Sequence, residues 1–143
     1  MRSILFVTLL IIFGFGFINA DRNHLPQKEN KLNGIWVPVS EEIGGISLPK
    51  SSFETQHLVI NDSIYTFTAE SIDKGIVKYE GNKMDIFGKE GVNNGKHFTA
   101  IFKSNGEQLT ICYNLAGTGY PESFSTKGKP LYFLCVFVKA DSN

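Results

Sequence analysis

The sequence predicts an all-β protein, an up-and-down antiparallel barrel of about eight short strands. Short runs rich in β-branched and aromatic residues recur at near-even spacing from Leu32 onward. Most are separated by two-residue turn signals, so sequential neighbours pair as a meander. No stretch carries the apolar period of an amphipathic helix. Closing a meander removes its exposed edges, and at eight strands the interior holds side chains or one small ligand.

Residues 1–20 are set apart from the fold. Arg2, the apolar stretch Ile4–Phe17 and Ala20 form the plan of a signal peptide cut after Ala20. The apolar run is shorter than the about 18 residues wanted to span a bilayer, so no membrane span is expected in the mature protein. The expected location is secreted or periplasmic. Asp21–Lys31 is polar, contains Pro26 and His24, and reads as a disordered lead-in. The barrel domain is expected over residues 32–140.

Gly34–Ser40 opens the barrel with Trp36, and Pro38, which cannot donate to a ladder, bends it or marks an edge. Glu41–Gln56 is the longest early connection; Lys50–Thr55 reads as a helical turn with Ser51 as its cap. His57–Ile60 and Ser63–Ala69 flank the turn Asn61-Asp62. Lys74–Glu80 and Lys83–Phe87 flank Gly81-Asn82. Gly88–Gly95 is a loose loop, after which Lys96–Lys103 turns through Ser104-Asn105-Gly106 into Gln108–Leu115. Ala116–Pro130 is a long loop before the closing strand Leu131–Lys139.

Strand alternation sorts the side chains. Tyr65, Phe67, Tyr79, Phe98, Phe102 and Tyr113 fall on the inward faces and are the candidate ligand-binding residues. If they pack against one another the barrel is solid; if they line a cavity it takes a small apolar molecule. The strands are short, which tilts the balance slightly toward a filled interior. The last strand is apolar on both faces, so alternation does not orient it.

Composition and spacing narrow the chemistry. The chain carries 14 basic and 14 acidic residues, interspersed, which argues against nucleic acid as a partner. Arg occurs only at positions 2 and 22, leaving the folded part without bidentate anion recognition by Arg. His24, His57 and His97 are isolated, so local spacing builds no metal site, and no cofactor signature is present. Glu41-Glu42 and Glu80 read as solvated strand ends rather than an acid–base pair. Gly117-Thr118-Gly119 precedes no helix and lacks the Lys-Ser/Thr of a phosphate loop. No catalytic residue is assigned and no enzyme is expected. Cys112 and Cys135 leave two readings open after export: a cross-strand disulfide, or two separate small hydrophobes. Phe124, in the long loop, is expected to tuck over one barrel end as a plug.

Leu32-Asn33-Gly34-Ile35-Trp36 looks like the Gly-x-Trp start of lipocalins. Further matches are Gly45 with Leu48-Pro49, Gly106-Glu107-Gln108-Leu109-Thr110-Ile111-Cys112-Tyr113, and Pro121 with Phe124. Together they resemble the lipocalin-like domain family of small secreted bacterial proteins of uncharacterised function, first noted in planctomycetes. Two positions depart from the family pattern: Tyr120 and Lys139 stand where it has Arg. The resemblance implies a lipocalin-like barrel and, by analogy with the closing Arg of lipocalins, that Lys139 covers Trp36. It implies no activity.

Two functions are therefore expected of such a chain. One is an exported binding module for a small apolar or amphipathic ligand, entered at the end covered by Glu41–Gln56. The other is an envelope structural or interaction protein with a filled barrel, meeting a protein partner through Gly88–Gly95 and Ala116–Pro130.

Overall fold

In the computed structural model, which describes residues 31–141, tight turns and alternating side chains build a closed antiparallel meander. The expected signal peptide and all of the lead-in but Lys31 lie outside the described residues. The strands are β1 (Gly34–Ile43), β2 (Ile46–Ser47), β3 (His57–Asn61), β4 (Ile64–Thr68) and β5 (Ile72–Glu80). They continue as β6 (Lys83–Glu90), β7 (His97–Ser104), β8 (Gln108–Asn114) and β9 (Tyr132–Lys139). From β3 to β9 each strand pairs with the next, and β1 joins β3 on one side and β9 on the other. Eight strands thus close the barrel, while two-residue β2 folds back on the end of β1.

The helical turn is shorter than expected, a 3₁₀ turn over Lys50–Ser52. Pro49 stands at its N-cap position and no side chain caps it, so Ser51 does not have the expected role.

One barrel end is sealed by the start of β1. Trp36 is fully buried, sits opposite Leu58 of β3 and Lys139 of β9, and donates its indole N–H to the Leu32 carbonyl at 2.8 Å. The Lys139 ammonium lies 5.5 Å from the Trp36 ring centroid, as the analogy implied. Gly34 makes this close approach feasible, because a Cβ there would stand 2.8 Å from Lys139 Cε.

The long loop between β8 and β9 does not plug the barrel. It runs as a strap along the outside wall. Gly119 accepts a hydrogen bond from Thr99 Oγ1 at 2.5 Å, and Asn114 Nδ2 donates to the Thr118 carbonyl at 2.8 Å. Farther along, Lys103 holds its ammonium 4.9 Å from the Phe124 ring centroid. Fully buried Thr126 accepts the Gly45 N–H at 2.8 Å and donates to Glu42. Thr99, Asn114, Lys103 and Glu42 all point outward, so Phe124 belongs to the outer wall rather than a barrel mouth. The strap accounts for the burial of outward-facing Ile101, Thr110 and Cys112.

Candidate functional site

The barrel is hollow. A cavity of about 550 Å³ begins above the Trp36 layer and reaches the end that carries Asn93 and Lys96. Of the six inward aromatics, Tyr65, Phe67, Tyr79, Phe98 and Tyr113 line it. Phe102 does not; it packs edge-on against Tyr79 with ring centroids 6.0 Å apart. The register also orients β9: Phe133, Cys135 and Phe137 face inward, and Phe133 stacks on Tyr113 at 5.7 Å.

The slight preference for a filled interior is corrected: the inward side chains wall the cavity without filling it. Gly75 and Gly88 lie opposite each other on β5 and β6, and Ala100 is fully buried on β7. Gly75 is required by its neighbour: a Cβ would come within 2.6 Å of the Tyr65 ring. Aromatic content measured the wall but not the gaps between its members.

Two carboxyl groups face the interior. Glu41, expected as a solvated strand end, is only 4 % exposed and lines the cavity. The cause is a bulge in β1. Pro38 pairs with Phe137 but Ser40 pairs with Val136, so the inward face passes from Trp36 and Pro38 to Glu41 and Ile43. Pro38 supplies no N–H to the ladder, which favours the irregularity. Among the described residues the only hydrogen bond to the Glu41 carboxyl comes from the Cys135 thiol, at 3.9 Å. Burial raises the Glu41 pKa above its ordinary value, with the thiol contact pulling the other way.

The second carboxyl is Asp73, one residue N-terminal to the strand boundary the sequence suggested and on the same face as Val77 and Tyr79. It is buried, and its two oxygens accept the Asn93 backbone N–H at 3.0 Å and side-chain amide at 3.1 Å. Asn93 in turn accepts from Lys96 at 3.2 Å, so the loop after β6 folds inward and makes a polar rim at this end. Burial foremost, then the Asp73 charge, raises the Tyr65 pKa. Tyr113 is pushed well up by burial, so it stays a neutral hydroxyl.

The cysteines are not paired. Cys112 lies opposite Leu134 and Cys135 opposite Ile111, a one-residue offset that sends the thiols to opposite faces of the sheet. Cys112 sits under the strap and Cys135 in the cavity wall. Burial pushes Cys112 up to about 11 and Cys135 higher still, so both stay as unreactive thiols. In native protein at pH 8 both should resist a thiol-specific reagent, and in urea without reductant both should react. No reaction in urea would instead indicate a bond between them.

His97 joins a polar cluster on the outer wall, away from the cavity. Its Nε2 is 2.7 Å from Asp85 Oδ1, its ring stacks on Phe87 at 4.6 Å, and Tyr120 donates to Asp85 Oδ2 at 2.5 Å. The Tyr120 hydrogen bond, followed by the His97 contacts, holds the Asp85 carboxyl below its ordinary range. The cluster fastens the strap to β6 and β7. Among the described residues no group of three or more metal-ligating side chains gathers.

Compared with known family models and with curated proteins, the chain matches none. The interior side chains therefore carry the functional argument. Sequence alternation placed the aromatics; it missed Glu41 because the bulge reverses alternation, and Asp73 because the strand extends beyond its obvious apolar run.

Proposed function

We propose that this protein is an exported lipocalin-like binding module whose barrel takes a small apolar or amphipathic ligand, without catalysis. One observation carries the reading: an interior cavity of about 550 Å³ walled by aromatic and aliphatic side chains, with few polar groups. That volume lies within the about 300–1,000 Å³ usual for small-molecule sites. The sealed Trp36 end and the rim of Asn93 and Lys96 make the opposite end the entrance, the end that also carries the connection after β1. The interaction-protein reading ranks second, because the strap spends its contacts on the barrel wall and the Gly91–Lys96 loop spends its own on Asp73 and the cavity rim.

Native mass spectrometry of protein purified from its own host tests the proposal. The expected result is a co-purifying small molecule that is lost from Ile111→Trp, in which the indole occupies the cavity. A bare mass from the unaltered protein, together with no binding of apolar probes, would overturn it.

A further inference from the structure

We propose that the cavity selects a ligand whose leading end is a protonated amine, held by the Glu41 carboxyl among the surrounding aromatic rings. The inference rests on the binding reading above and specifies the ligand's chemistry.

Glu41 is the anomaly of the interior. A purely apolar ligand would be served better by an aliphatic side chain at this position, because a buried carboxyl costs free energy unless something meets it. Among the described residues it meets only a thiol, a weak donor, at 3.9 Å. Nor is its direction incidental: the bulge at Pro38–Ser40 is what aims it inward.

The charged groups around the cavity decide the sign of the ligand. Cys135 on β9 contacts Glu41 and Tyr113 on β8 interacts with it electrostatically, while Tyr65 on β4 and Tyr79 on β5 line the same cavity, none of them a cation. Asp73 adds a second negative group, already satisfied by two Asn93 donors. The cation among the lining residues is Lys96, exposed at the rim and bonded to Asn93. A carboxylate entering head-first would thus approach two acidic groups with no counter-charge at that depth. An ammonium head brings three N–H donors and finds a carboxyl, tyrosine hydroxyl oxygens and aromatic faces. The ionised carboxylate is the form that pairs with the ammonium, so binding the amine favours the charged state of Glu41, against the burial that raises its pKa.

Calorimetry with octylamine, octanol and octanoate tests this. Octylamine is expected to bind at least about tenfold more tightly than either neutral or anionic analogue at pH 7.5. Glu41→Gln should remove about that tenfold for octylamine and leave octanol within about threefold of the unaltered protein. Octanol or octanoate binding as tightly as octylamine would overturn the amine inference while leaving the binding reading in place. Failure of all three to bind would overturn both. Should Glu41→Gln not fold, the pH profile of the unaltered protein decides. Octylamine affinity should rise with pH through the Glu41 titration while octanol affinity stays flat, and a flat octylamine profile would sink the inference.

Discussion

Trp36→Ala is expected to cost about 3–5 kcal/mol of folding stability, the range for truncating a large aromatic in a core. The upper part of that range applies here for a geometric reason. Trp36 is fully buried on β1, which is hydrogen-bonded to β3 on one side and β9 on the other, so the wall has little freedom to collapse into the space left behind. Three contacts disappear together: packing in the buried core with Leu58 and Phe137, the indole N–H bond to the Leu32 carbonyl at 2.8 Å, and the Lys139 ammonium over the ring. Urea denaturation followed by far-UV circular dichroism reads the loss. Trp36→Phe separates the parts, since it keeps most of the ring volume and forfeits the indole bond, for about 1–3 kcal/mol. A loss below about 1 kcal/mol for Trp36→Ala would show that the sealed end contributes little to holding the barrel shut.

Glu41→Leu should act in the opposite direction. It is expected to stabilise the ligand-free protein at neutral pH by about 1–3 kcal/mol, the scale of relieving a poorly satisfied buried polar group. The sign follows from the raised pKa. The folded state binds the Glu41 proton more tightly than the unfolded chain does, so proton binding supports folding. That contribution is fully present below the ordinary carboxyl value of 4.5 and is lost as pH rises through the raised folded value. The advantage of Glu41→Leu should therefore be largest at neutral and higher pH and shrink on acidification toward 4.5. Chemical denaturation of both proteins across this range gives the test. A difference that does not vary with pH would mean that the carboxyl titrates alike in the folded and unfolded chain. A protein that gains stability by losing a side chain commonly retains it for function, and the same substitution should abolish the preference for an amine ligand.

The inward aromatics were legible because period-two alternation is a local property: Tyr65 and Phe67, or Phe98 and Ala100, need only a straight strand to share a face. The closing contact of Lys139 with Trp36 was legible by resemblance to lipocalins. Phe124 was not, since a loop residue has no periodicity and its place against Lys103 depends on where the whole strap crosses the outer wall. The cysteines illustrate the limit most sharply. Their separation in the chain put them near one level of a hairpin, but a register offset of one residue is enough to place Cys112 outside and Cys135 inside.

By itself the sequence determined an all-β meander, its order of strands, and an interior rich in aromatic rings. These follow from turn chemistry and alternation, which act over a few residues. Only the tertiary structure decided that the barrel is hollow and that a carboxyl stands inside it. Volume depends on how far the inward side chains of all eight strands reach toward one another across the barrel, and the direction of Glu41 depends on a bulge between two strands almost 100 residues apart in the chain. Such quantities are set by the register between strands, which exists only once the barrel has closed.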